Sequence, residues 1–144
     1  MKNITGLKRL HHMAFKTHSV EQAEAFYTGI LGLPLVHTIE SDFVPSTGEY
    51  DPYKHIFFKL DDNSYIAFFD LGDNKKPVID EPAWLQHFAF LVDNIEKVDE
   101  WKTHLEECGI DVIGPTKHGT FIYSIYFFDP SGNRLEITTD IKEK

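Results

Sequence analysis

The sequence predicts an α+β fold built from two copies of one βαβββ module, and three observations lead there. The chain repeats itself, each repeat opens with a strand-like run followed by a helix, and each closes with three further strand-like runs. Displacing the chain so that Leu10 falls on Leu85 also brings His12 onto His87, Ala14 onto Ala89, Phe15 onto Phe90, Glu21 onto Glu96 and Thr28 onto Thr103. Such internal similarity marks a duplicated structural unit. The 144 residues suit a single domain. Its modules cover about 7–71 and 84–140, with a linker over about 72–83 that holds few apolar residues and two prolines.

Each element has a local reason. Residues 10–16 and 85–92 are β-type runs. Ser19 with Gln22 three residues on forms a capping box, and Asp93 with Glu96 imitates one. The apolar stripes Val20, Ala23, Phe26, Ile30 and Ile95, Val98, Trp101, Leu105, Cys108 follow the helical period. Gly32 and Gly109 stop the two helices. Strands are then expected at 33–40, 55–60 and 64–70 in the first copy, and at 110–116, 121–128 and 133–139 in the second. Their last turns are Asp61-Asp62-Asn63 and Asp129-Pro130-Ser131-Gly132. Residues 41–54 are an insertion in the first copy alone. Phe43, Tyr50 and Tyr53 make it a loop with something to cover.

Composition narrows the function. Hydrophobic residues make up 42% and aromatic residues 14%, enough for a packed core. Lys and Arg total 14 against 23 Asp and Glu, a formal charge of −9. An acidic surface with no basic block argues against nucleic acid and against an anionic membrane. Cys108 is the one cysteine, so no intrachain disulfide and no cysteine-based metal site can form. The first residues carry no apolar stretch like a signal peptide, and no run is long enough to span a membrane, so a cytoplasmic location is expected.

Eight histidines need sorting. The repeat makes His12 and His87 equivalent residues on equivalent strands. In the last strand Glu136 sits between Leu135 and Ile137, and alternation puts it on the opposite face. It either meets water or points inward, where a carboxylate requires a cation or hydrogen-bond donors. Aligning the last strands places Ala67 opposite Glu136, which removes a fourth ligand. Two imidazoles and one carboxylate form the facial triad that suits non-haem Fe(II), with Mn(II) also served. A structural zinc site normally closes with four protein ligands.

The strand L-x-H-x-A-F, the helix ending AFYTGILGLPLV and the closing FDPSGNRLEI resemble the vicinal oxygen chelate superfamily, also called the glyoxalase, bleomycin-resistance and dioxygenase family. The likeness covers about 7–139. It implies a curved mixed β-sheet cup with flanking helices, and a metal held by His12, His87 and Glu136. The run TKHGTFIYSIYFFDPSGNRLE is similar to the extradiol ring-cleavage pattern at His118, Ile125, Tyr126, Asp129, Pro130, Gly132 and Glu136. That likeness implies catalytic roles for His118 and Tyr126. A near-neutral imidazole can move a substrate proton, and a phenol can hydrogen-bond a substrate oxygen. Tyr126 shares the face of Glu136 provided the hairpin between them is regular. His55 is a candidate for a further acid–base group. His11, His18, His37 and His104 look incidental, with His11 facing away from His12.

The expected function is an extradiol-type dioxygenase, with Fe(II) or Mn(II), acting on a small aromatic diol with O2 as a homodimer. A thiol transferase acting on an epoxide antibiotic, or a lyase or isomerase of the glyoxalase kind, is the alternative. Sparse arginine argues against the first and Ala67 against the second. A non-enzymatic protein that sequesters an aromatic ligand is a third reading, and relatives of that sort usually lack the metal residues.

Overall fold

The computed structural model describes residues 3–142. They divide into two compact units, 3–75 and 76–142. The first contains β1(His12–Lys16), α1(Val20–Tyr27), β2(Leu35–Phe43), β3(Tyr50–Lys59) and β4(Tyr65–Asp70). The second contains β5(Phe88–Leu91), α2(Ile95–Glu107), β6(Ile113–His118), β7(Ile122–Phe128) and β8(Arg134–Asp140). Each is a βαβββ module, and the fold is α+β. The sheet orders are β1-β4-β3-β2 and β5-β8-β7-β6, so the two topologies coincide. In both sheets the first strand runs parallel to the last, and the remaining pairs are antiparallel. Among the described residues no helix is long and apolar enough to cross a membrane.

The helices begin close to their expected caps. The Ser19 hydroxyl accepts from the Gln22 N–H at 3.2 Å. The Ser19 N–H donates to Thr17 Oγ1, a partner the capping box would have assigned to Gln22. The second helix is capped by Asn94, whose side chain accepts from the Lys97 N–H at 2.9 Å, and not by Asp93. Either residue can cap, and the chain starts α2 one position later. Gly32 and Gly109 follow the helices at φ +76° and +79°, backbone that an L side chain enters only with strain.

The insertion departs further from expectation. Most of it is ordered strand: β2 runs on to Phe43 and β3 starts at Tyr50, with Phe43 and Tyr50 in edge-to-face contact at 5.4 Å. The loop shrinks to a tight turn where Gly48 N–H donates to Val44 O at 2.7 Å. Alternation was hidden there because the overhanging hairpin has no buried face.

One face of each sheet packs on its own helix. In the first unit Ile56, Phe58, Ile66 and Phe68 are fully buried together with Tyr27. The Tyr27 ring lies 5.2 Å from Phe58 and 4.8 Å from Phe68. In the second unit Val98 and Leu105 of α2 are buried with Ile125, Phe127, Leu135 and Ile137. On the same face the Tyr123 hydroxyl donates to Asp99 Oδ1 at 2.7 Å. Burial and the Asp99 carboxylate push that phenol up to about 12, so it stays a donor. This packing leaves the opposite face of each sheet free for chemistry.

Phe58→Ala removes a fully buried ring beneath α1 and should cost about 3–5 kcal/mol of unfolding free energy, read from the urea midpoint. A loss of less than about 1 kcal/mol would mean the Phe58–Tyr27 contact does not hold α1.

Candidate functional site

Residues paired directly across strands point to the same side of a sheet. In the second unit Tyr126 pairs with Glu136, Ser124 with Thr138 and Phe128 with Arg134, while Ala89 of β5 pairs with Glu136. The β7–β8 hairpin is therefore regular, and Tyr126 and Glu136 share the face turned away from α2.

Glu136 is 3% exposed. A carboxylate so deeply placed is costly unless its oxygens are satisfied. His87, just ahead of β5, brings Nε2 to 2.8 Å from Glu136 Oε1. The fully buried Ser124 hydroxyl donates to Oε2 at 2.6 Å. Because that proton is spent on the carboxylate, the Thr138 hydroxyl donates to Ser124 Oγ, 2.7 Å away. No Lys or Arg pairs with Glu136 among the described residues. One oxygen is thus held by a hydroxyl chain, and the other faces an imidazole.

His118, the last residue of β6, bonds through Nε2 to the Tyr126 hydroxyl at 2.5 Å. The Tyr126 ring stands edge-on to His87 with centroids 5.9 Å apart. The Arg134 guanidinium carbon lies 4.4 Å from the Tyr126 ring centroid. Four predicted residues, His87, Glu136, His118 and Tyr126, are therefore joined through Tyr126 in one chain of contacts.

The first unit repeats this geometry with different chemistry. His12 pairs with Tyr65, Ala14 with Ala67, and Ala67 with Phe57; His55 pairs with Phe69. The register makes Ala67 the counterpart of Glu136, Phe57 of Tyr126 and His55 of Ser124. His12 contacts Phe57 edge-on at 5.8 Å. Contrary to expectation, His11 does not turn away: its Nδ1 and that of His12 lie 2.9 Å apart, which leaves Nε2 of His12 for other use. The bond arises because His11 precedes the strand and escapes its alternation. The His37 ring meets Phe57 at 6.3 Å and Tyr65 at 6.1 Å.

His55 stacks on Phe69 with ring centroids 3.7 Å apart and touches Phe57 at 4.3 Å. Its Nε2 is buried with no hydrogen-bond partner. Burial, and then the nearby His12 charge, hold its pKa below the ordinary imidazole value. A polar atom without a partner is unusual and marks a place where a ligand atom would be welcome.

Within neither unit do three His, Cys, Asp or Glu side chains gather as a ready ligand set among the described residues. A cleft of about 310 Å³ beside the start of α1, lined by Glu21, Glu40, Asp42, Lys54 and Asp70 among others, contains none of the predicted residues. Sequence reading missed Ser124, Thr138 and Arg134. Counting by twos from Glu136 along its strand would have found Arg134 and Thr138, and the hairpin pairing then points to Ser124.

Comparison with known proteins agrees with the fold. A family model for the Glyoxalase/Bleomycin resistance protein/Dioxygenase superfamily matches residues 9–137. The chain is 28% identical over 142 residues to a metapyrocatechase of Pseudomonas sp. (strain CF600), covering 94% of this chain and 41% of that protein. It therefore spans about two fifths of that relative's length. It is 34% identical over 98 residues to the metallothiol transferase FosB of Shouchella clausii (strain KSM-K16), covering 60% of this chain and 67% of that one. The crystal structure of a lactoylglutathione lyase from Agrobacterium tumefaciens superposes with a TM-score of 0.67 at 26% identity, covering 94% and 96% of the two chains.

His55 gives a pH dependence whose sign is fixed. The folded imidazole binds its proton less readily than the unfolded one, so the unfolded chain takes up more protons as pH falls below about 6.5. The metal-free protein should have its full His55 contribution above that pH and lose it as pH falls through the depressed folded value. His55→Phe, which keeps the stack on Phe69, should flatten that limb of a plot of urea midpoint against pH. An unchanged limb would assign it to another group.

Proposed function

We propose, from the premise that the chain belongs to the Glyoxalase/Bleomycin resistance protein/Dioxygenase superfamily, that it is a metal-dependent dioxygenase of extradiol type that opens the ring of a small catecholic diol with O2. The observation that carries this reading is the His118–Tyr126 pair beside the His87–Glu136 pair on one sheet face. Similarity to a metapyrocatechase supports the same chemistry.

The donors suit a divalent ion. Glu136 is a buried carboxylate with no Lys or Arg counter-charge among the described residues. Two imidazoles and one carboxylate match Fe(II), with Mn(II) as the other fit. His12, His87 and Glu136 are the proposed ligands. Bound there, the ion supplies Lewis acidity toward the two diol oxygens and open positions for substrate and dioxygen.

The protein's part is to position and to move protons. Ser124 holds Glu136 Oε2 and so turns Oε1 toward His87, where both could act as ligands. The His118–Tyr126 pair can pass a proton to or from a substrate oxygen, because each side chain both donates and accepts. His55, with an unpartnered Nε2, is the further candidate to take a diol proton. Both atoms of O2 enter the product, so the reaction balances without an added reductant. The reading includes a homodimer.

A thiol transferase is the second reading, supported by the likeness to a metallothiol transferase. Thiol-dependent consumption of an epoxide would establish it in place of the first.

Fe(II)-loaded protein prepared without oxygen should consume O2 on addition of catechols and form a yellow ring-opened product. Glu136→Ala should abolish both metal binding and uptake while leaving the circular dichroism spectrum intact. No uptake across a panel of diols by metal-loaded protein would overturn the dioxygenase reading, and unchanged metal affinity in Glu136→Ala would overturn the ligand assignment.

Ser124→Ala should weaken divalent metal binding by about 10–100-fold, measured by calorimetry, and Ser124→Thr should recover most of it. Equal affinity in all three proteins would show that the hydroxyl does not orient the carboxylate.

A further inference from the structure

We propose that Arg134 is an anion-binding handle of this site, so that the preferred diol carries a carboxylate on the part of its ring remote from the two hydroxyls. The inference rests on the dioxygenase reading and goes beyond it by naming the substrate class.

The chain has two arginines, Arg9 and Arg134. Arg134 opens β8 two residues before Glu136 and shares its face. Its guanidinium carbon lies 4.4 Å from the Tyr126 ring centroid, and its Nε is buried without a hydrogen-bond partner. It takes part in no ion pair among the described residues.

The nearest acid along the chain, Glu136, is already engaged by His87 and Ser124, and so is the next, Asp129. Asp129 Oδ1 accepts from the Ser131 and Asn133 N–H groups, and Oδ2 accepts from Asn133 Nδ2. A guanidinium stays charged at any physiological pH and carries five donors in one plane. The Tyr126 ring can satisfy the flat face of that plane. It cannot satisfy the in-plane N–H groups, and those form the fork that a carboxylate fits with two parallel bonds.

Charge supports the same class of ligand. The chain carries −9 overall, and such a surface repels an anionic substrate unless a local cation receives it.

The test uses metal-loaded protein without oxygen, with binding read by calorimetry for catechol, for a catechol carboxylate (protocatechuate) and for benzoate. Wild type should bind protocatechuate about 10–100-fold more tightly than catechol. Arg134→Gln should lose that preference while binding catechol as before, and Arg134→Lys should retain part of it. Thermal unfolding of both variants checks that they fold; if the Gln variant does not, the Lys variant is compared with wild type on the same panel.

Benzoate separates the handle from the diol reading because it has the anion and no diol. Benzoate bound by wild type and about 10-fold more weakly by Arg134→Gln supports the handle even where neither diol binds, and in that case the dioxygenase reading alone fails. Benzoate binding that is absent in wild type, or equal in both proteins, overturns the handle. So does an equal loss of catechol and protocatechuate binding in Arg134→Gln.

Discussion

The burial of one carboxylate constrains the rest of the second unit. Glu136 is almost wholly withdrawn from water, and an ionised carboxyl survives there only if both oxygens are answered. The answers are an imidazole on Oε1 and a serine hydroxyl on Oε2. Neither brings a permanent positive charge. A surface ion pair could be lost with little effect, but here each neighbour is needed. Ser124 must be on β7 opposite Thr138, Tyr126 must face Glu136, and His87 must precede β5 in register. A slip of one residue along β8 would turn the carboxylate toward the apolar helix face and expose Leu135 and Ile137 in its place.

The two units show how one backbone scaffold carries two chemistries. Position for position, Ala67, Phe57, His55 and Phe69 stand where the second unit has Glu136, Tyr126, Ser124 and Thr138. The first face is aromatic, and the second is a connected polar network. Neither set disturbs the fold, because both lie on the side away from the helix, while Phe58, Ile66 and Phe68 in one unit and Ile125, Phe127 and Leu135 in the other carry the core. Function could change on one side of each sheet without altering what stabilises it.

This separation also explains what was legible in the sequence. The module order, the helix stops at Gly32 and Gly109 and the turn at Asp129-Pro130-Ser131-Gly132 follow from local chemistry, and the structure has all of them. The pairing of Tyr126 with Glu136 could be read conditionally, because it needs only a regular hairpin. His11 was misjudged because strand alternation was applied one residue before the strand begins. The insertion reads as a loop in the sequence because its hairpin has two exposed faces and so lacks the period-two signal. Ser124 and Arg134 are harder to find for another reason: their significance lies in their partners across the sheet, and it emerges only when the strand is counted by twos from Glu136 and the hairpin is paired.

The retention of an imidazole at position 55 can be argued from cost. Phenylalanine would fill the same aromatic stack against Phe57 and Phe69 with no polar atom to satisfy. The histidine instead buries Nε2 without a partner and has its proton affinity reduced by burial. Structure alone gains nothing from that exchange, since an unpaired buried nitrogen costs about 1–3 kcal/mol. A group kept neutral, with one nitrogen open and apolar rings on its flanks, is prepared to receive a proton from a ligand that arrives with one. Catechols arrive with two hydroxyl protons to lose. The aromatic face of the first unit is therefore more than filler, because it carries an imidazole whose free nitrogen has no protein atom to bond.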